Sequence, residues 1–305
     1  MNTVSETNTT RTRSAPRPTI FSSREQFELF IGSVIKWLFI AFFLLITAFP
    51  FYWMLAISIR GDGDLLQNPT RLVPTSEQIS NFWQPYDAVL NDFNFLRYIR
   101  NSAVVSIITV IFTLLLAIPG AYAVTRLNFR LKNAMSWGIL LVYMLPGIVI
   151  GIPLFVVYSQ LGIRGSLPGL VVIYLSGTLP VALYMLRSYF QTIPAELEEA
   201  ALIDGCSRVS TIWRVVLPLS VPAVASVALY TFMIAWNEVL FALLFLSDTP
   251  TSWTLPLALQ QLDTQEVPRT YLMAGSVIIT VPIIVLFFFF ERFLTRGLTA
   301  GAVKG

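Results

Sequence analysis

The chain has 305 residues, of which 55% are hydrophobic and only 12% are charged. Soluble domains carry about 25% charge, and several apolar runs here reach the roughly 20 residues that cross a bilayer. The composition therefore excludes an ordinary soluble protein and points to a polytopic, all-α membrane helical bundle. There is no histidine and one cysteine, Cys206. That removes His-based catalysis, His metal sites and an intrachain disulfide. The net charge of +3 is spread along the chain and makes no nucleic-acid patch. No G-x-x-x-x-G-K-[ST] motif occurs, so any ATP that drives this protein is bound by another subunit.

Residues 1–24 are rich in Ser, Thr, Arg, Pro and Asn and read as a disordered cytoplasmic tail, with the boundary set at residue 30. No short apolar core of a signal peptide follows. Six spans are then expected: Gly32–Ile59, Ser102–Val124, Met135–Tyr158, Leu170–Leu186, Val221–Leu246 and Tyr271–Phe290. Prolines 50, 119, 146, 153, 180 and 282 fall inside them. A bundle can satisfy the carbonyls such prolines free. They read as packing kinks, with Pro119-Gly120 and Pro146-Gly147 as the better hinge candidates.

Between spans one and two lies a long mixed loop with Trp83, Tyr86, Phe93, Phe95 and Tyr98. Such aromatics anchor at the membrane interface or dock an external partner. If the N-terminus is cytoplasmic, fourteen Lys and Arg face inward and six outward. The bias puts both termini and the loop after span four in the cytoplasm.

That loop, Ile193–Pro222, is a polar island between two apolar segments. Pro194 suits a first helical turn, and Glu196, Glu198 and Glu199 complement the positive end of the helix dipole. Gly205 supplies a left-handed stop, giving a first helix over Pro194–Asp204. Ala200 and Ala201 make a small flat patch on it. Ser207 then caps a second helix, whose Ile212, Val215, Val216 and Leu219 form a one-sided apolar stripe. In span five, Trp236, Asn237 and Glu238 interrupt an apolar run, and a carboxylate there is costly. Two readings fit these three: a polar lining of a pathway, where amide and carboxylate bond hydroxyls and Trp stacks on a sugar, or an interhelical hydrogen bond.

Glu199-Ala200-Ala201, then Asp204-Gly205, then Leu217-Pro218 resemble the EAA loop of ABC-importer permeases. Cys206 departs from the small residue usual in that family. The Trp236-Asn237-Glu238 segment, the outer loop ending in Asn101-Ser102 and the tail Gly297-Leu298-Thr299-Ala300-Gly301 through Val303-Lys304-Gly305 also resemble the MalG-like, binding-protein-dependent carbohydrate uptake family. The resemblance divides the chain into a tail (1–30), a permease domain (31–296, with coupling loop 193–222) and a C-terminal tail (297–305). It implies ATPase coupling by Glu199, Ala200, Ala201, Asp204, Gly205, Leu217 and Pro218. A second ATPase contact is implied through Gly301, Val303, Lys304 and Gly305, and a translocation pathway along Trp236, Asn237 and Glu238.

The implied partners are a second, MalF-like permease, two ATPase subunits carrying ATP and Mg, and an extracytoplasmic sugar-binding protein or lipoprotein. The implied setting is a prokaryotic plasma membrane, with this chain binding no metal or cofactor and not acting as an enzyme. The implied cargo is a disaccharide or small oligosaccharide such as maltose or trehalose, or a glycerol phosphate-type substrate. A secondary transporter using Glu238 is the competing reading; it leaves the island and the tail unexplained.

Overall fold

The computed structural model describes residues 21–302 apart from 131, 133, 135–137, 139, 140, 142 and 143. The chain forms two compact units, Met1–Trp53 and Met54–Gly305. All elements among the described residues are helical.

In the first unit, one helix dominates. α1 starts at Phe21, inside the segment expected to be a tail, and runs to Ser58, so its last turn belongs to the second unit. It is long and apolar enough to cross a membrane.

The second unit is built on α5 (Phe95–Arg126). Three short helices precede it: α2 (Asp62–Gln67), α3 (Ser76–Ser80) and α4 (Trp83–Asn91). Asn94 takes a left-handed conformation (φ 59°) and turns the chain into α5. After α5 come α6 (Gly147–Leu161), α7 (Leu167–Phe190), α8 (Ala195–Ile203) and α9 (Arg208–Leu219). Then follow α10 (Val221–Asn237), α11 (Leu240–Leu246), α12 (Leu255–Gln261) and α13 (Arg269–Ala302).

α5 buries a stripe of small residues: Ser102, Ser106, Thr109, Thr113, Ala117 and Ala121. Their spacing of three and four keeps them on one helical face. Small side chains let helices approach closely where no water drives them together. α7 takes up part of that face. Val105 shares a core cluster with Leu170 and Tyr174, while Ala117 and Ala121 share one with Ala182, Leu186 and Phe190. The two helices therefore run parallel. The Thr113 and Thr178 hydroxyls meet across them at 2.9 Å. A Cβ on Gly120 would lie 2.8 Å from Leu183 Cδ2, so the glycine permits this approach.

α10 runs the other way. Its early residue Val227 joins the cluster of Ala117 and Ala121, and its late residue Ala235 joins that of Val105. α13 closes the bundle, with Ala274 in a cluster with Phe95 and Trp236.

The expected spans fare unevenly. α1, α5, α7 and α13 are each long and apolar enough to cross a membrane, and α9 with α10 qualifies as one broken span. Of the third expected span, Met135–Tyr158, most residues before Met144 lie outside those described. Pro146 does not kink a helix there but sits in extended backbone as the N-cap of α6. The fifth, Val221–Leu246, is not continuous: it breaks after Asn237, and Glu238 has extended backbone (φ −72°, ψ 128°). The segment Gly297–Ala302, expected as a flexible tail, continues α13 as helix.

The loop before α4 is organised by a fully buried cation. Arg60 donates to the Asp64 carboxylate and to the carbonyls of Asp64, Asn68 and Arg71. Gln78, Arg60 and Asn68 all donate to Asp64, which holds its carboxyl down at about 2. At this same end, Asn101 donates to the carbonyls of Thr251 and Trp253, and Ser102 accepts from the Leu255 N–H at 2.7 Å. The asparagine–serine pair singled out in the sequence thus pins the start of α5 to the lead-in of α12.

Candidate functional site

The island folds as two short helices at the far end of α5. Pro194 is in extended backbone and is the N-cap of α8 rather than its first residue. Asp204 is the C-cap. Gly205 follows at φ +86°, a left-handed position that favours glycine. The Cys206 N–H reaches back to the Ala201 carbonyl at 2.9 Å, closing the turn. Ser207 Oγ accepts from the Ser210 N–H and caps α9, as its position suggests.

The residues singled out for a partner contact are mostly open to solvent. Glu199, Ala200, Asp204, Gly205 and Pro218 are exposed; Ala201 and Leu217 are half-buried. Glu196, Glu199, Ala200 and Ile203 share one face of α8 by their spacing of three and four. Ile203 is 86% exposed, Val209 65% and Trp213 63%. These large apolar groups are left uncovered in this chain. A Cβ at Gly205 would meet nothing within 4 Å in this chain.

Beneath this open face the island is fixed. Glu198 is buried, and its carboxylate accepts from Arg126 Nε at 2.7 Å. Arg126 also donates to the carbonyls of Phe190 and Ile193, at 3.0 and 2.6 Å. One guanidinium at the end of α5 thus holds the end of α7 and the start of α8 together. In the sequence Glu198 reads only as one of three acids at the start of a helix, and Arg126 only as one of the inward-facing basic residues. Their 72-residue separation gives no local signal of pairing.

α9 joins the bundle through Ile212 and Val216, which pack in the cluster with Phe190, Ile193 and Val227. A π-helical stretch, Ile212–Val216, shifts its register. Leu219, expected at the end of the buried stripe, is therefore half-exposed. The chain then bends by 83° from α9 into α10. The island thus leads directly into the start of α10.

At the other end of α10 the Trp236-Asn237-Glu238 group separates into three situations. Trp236 is buried, stacks on Phe232 at 5.3 Å and donates its Nε1–H to the Ile279 carbonyl of α13. Glu238 is half-buried; it accepts from the N–H groups of Phe241 and Ala242 and from the Tyr174 hydroxyl. It thereby caps α11, which accounts for the carboxylate at this depth. Asn237 is exposed, and its Nδ2 donates to the Met233 carbonyl. In the C-terminal tail, Gly301 lies in the helical backbone of α13, and Val303, Lys304 and Gly305 lie outside the described residues. No cluster of His, Cys, Asp or Glu suited to a metal ion occurs among the described residues.

Comparison with known proteins adds to this geometry. Residues 111–300 match the family described as "Binding-protein-dependent transport system inner membrane component". The chain is 39% identical over 267 residues to the inner membrane ABC transporter permease protein YcjP of Escherichia coli, covering 87% of this chain and 94% of that one. It is 37% identical to the trehalose/maltose transport system permease protein MalG of Thermococcus litoralis, over 86% of this chain and 93% of that one. It is 34% identical to the diacetylchitobiose uptake system permease protein DasC of Streptomyces coelicolor, over 84% and 92%. Among solved structures, a bacterial ABC transporter involved in alginate import superposes with a TM-score of 0.73 at 21% identity. That match covers 92% of this chain and all of the other, a likeness of fold.

Proposed function

Because this chain belongs to the family of binding-protein-dependent transport system inner membrane components, we propose that it is the permease subunit of an ATP-driven sugar importer. It is a multi-pass protein of the plasma membrane. The observation that carries the reading is the island: two helices around a left-handed glycine, an exposed apolar rim, and a buried Arg126–Glu198 tie to the bundle. A loop that is open outside and clamped inside suits the transmission of force from a partner.

The partner at the island is an ATPase dimer that binds ATP and Mg. Glu199, Ala200, Ala201, Asp204 and Gly205 enter its groove, with Leu217 and Pro218 setting the angle of the second helix. The tail residues Gly301, Val303, Lys304 and Gly305 make a second contact with it. A second permease of the same family completes the pore, and an extracytoplasmic binding protein delivers the sugar. Both termini face the cytoplasm. ATP closes the ATPase dimer, the island moves with it, and the bend into α10 carries the motion to the pathway.

Relatives named for trehalose, maltose and diacetylchitobiose support a disaccharide or short oligosaccharide as cargo. The pathway runs past the break after α10. There Asn237 offers an amide to sugar hydroxyls, while Trp236 and Glu238 hold it in place.

The test is a gentle detergent pull-down of tagged protein, native and Gly205→Trp, with an ATPase assay on what accompanies it. Co-purification of a permease and an ATPase, with attachment or coupling weakened by the tryptophan, is the expected result. A chain that purifies alone and supports gradient-driven uptake in liposomes overturns the reading.

A further inference from the structure

Arg60, Arg71, Arg126, Arg164 and Arg269 each pair with a carboxylate. Arg97 and Arg100 do not. Both are exposed at the start of α5, and among the described residues neither guanidinium has an ion pair or a hydrogen bond. With Asn91, Asn94, Leu90 and Leu96 they line a cavity of about 530 Å³. No acid among the described residues lines it. Asp87 and Asp92, the carboxylates at the end of α4, stay outside, and Asp87 is taken up by the Asn91 amide at 2.8 Å. Two rigid forks of donors therefore face one cavity with nothing to bind in this chain. A guanidinium matches a phosphate group bidentately.

The same helix continues below as an apolar surface. Arg100, Val104, Ile107, Ile111 and Leu115 recur at spacings of three and four and so share one face. The four apolar members are exposed. Ile107 and Ile111 also line a second groove of about 480 Å³, bounded by α5, α10 and α13, whose other walls include Phe232 and Leu286. Ile107 is seven residues beyond Arg100, so this groove opens about 10 Å along the helix from the guanidinium. α5 has 32 residues. Such a helix is about 48 Å long, against a hydrocarbon layer of about 30 Å. When it crosses the membrane, its first turns stand among headgroups and the stripe below them among acyl chains. A cationic cavity above an apolar groove fits a molecule with a phosphate at one end and hydrocarbon at the other. A phospholipid supplies both ends at once.

We propose that Arg97 and Arg100 hold the headgroup phosphate of an anionic phospholipid, whose acyl chain runs along Val104 and Ile107 into the groove between α5, α10 and α13. On the proposed topology this lipid belongs to the outer leaflet. The site requires only that the chain crosses a membrane, and it stands apart from the cargo and the ATPase.

The test uses the full chain purified in mild detergent and native mass spectrometry. Phosphatidylglycerol and phosphatidylcholine of equal acyl length are added in turn; both carry a phosphate, and only the first is anionic. One phosphatidylglycerol is expected to be retained about tenfold better than phosphatidylcholine, a preference that two arginines near a membrane surface can supply. Arg97→Gln with Arg100→Gln should abolish it. Arg208→Gln with Arg214→Gln removes the same charge from exposed island residues and should leave it intact. Thermal unfolding checks the variants. Without lipid the Arg97/Arg100 double variant should unfold at the native temperature, since neither side chain bonds within the chain; with phosphatidylglycerol only the native chain should gain stability. Inorganic phosphate at the lipid's concentration should displace nothing. If it displaces the lipid, the cavity is a plain anion site and the phospholipid is overturned. If both double variants lose the preference alike, overall charge is responsible and the site is overturned. If the Arg97/Arg100 variant keeps its lipid and instead sheds a co-purifying protein, the arginines belong to a protein interface and the proposal falls.

Discussion

Tyr174 donates its hydroxyl to Glu238 at 2.9 Å, joining α7 to the break between α10 and α11. The same carboxylate accepts two backbone N–H groups of α11. Three hydrogen bonds thus engage the Glu238 carboxylate in holding a corner. The group that looks most like an ion-coupling acid in the sequence has a structural part in the fold.

Replacing Glu238 tests that assignment. Glu238→Ala strips the cap and leaves the Tyr174 hydroxyl buried without an acceptor, a loss of about 1–3 kcal/mol. Glu238→Gln keeps an oxygen that accepts from the same donors and is expected to cost less. Thermal unfolding of the purified complex should rank the variants native, Gln, Ala. Uptake by the Gln variant should remain independent of a proton gradient. A gradient dependence in the native protein that the Gln variant abolishes would reverse the assignment.

Arg126 should be intolerant of change. Removing it leaves Glu198 buried and charged, a situation that costs on the order of 3 kcal/mol. Lysine keeps the charge and loses the planar fork that reaches one carboxylate and two carbonyls. Arg126→Lys is therefore expected to lower coupling, with ATP turnover persisting while uptake falls several-fold. The paired change Arg126→Met with Glu198→Met should be milder in unfolding assays than Arg126→Met alone.

At Gly205 two substitutions separate backbone from contact. Alanine meets only the left-handed backbone penalty, roughly 1–2 kcal/mol. Tryptophan adds a bulk that finds empty space in this chain. If Gly205→Ala transports near normally and Gly205→Trp hydrolyses ATP without transport, the obstruction lies in a partner. Equal defects in both would place the whole effect in the turn itself.

The Asp64 cluster predicts an acid limit for the loop before α4. Its carboxyl is held at about 2, below the ordinary value of 3.8, by donors from Gln78, Arg60 and Asn68. A depressed carboxyl stabilises above its unfolded pKa and loses that contribution as pH falls toward its folded one. The loop should therefore hold at pH 5 and loosen between about pH 4 and 2. Amide exchange over residues 61–78 at pH 5 and pH 3 reads this directly. Asp64→Asn should show faster exchange already at pH 5.

The island was largely legible in the sequence because its signals are local. Glycine at the turn, Ser207 before a helix and acids in the first turn each act within four residues. The break after Asn237 was not, since Val221–Leu246 carries no proline or glycine inside the apolar run after Pro222. The chain turns there because Glu238 caps the next helix, a choice completed by Tyr174, 64 residues earlier. The same holds for Arg126 and Glu198. The π-helical stretch in α9 left no compositional mark, so the apolar stripe was read one residue too long.

Ile203, Val209 and Trp213 stand in solvent whenever nothing covers them. On the proposed reading, a copy of this subunit made in excess displays this apolar surface with no partner's groove to shield it. Its lifetime in the cell should follow the supply of the covering protein. On that reading its numbers should stay matched to those of its partners without a dedicated signal.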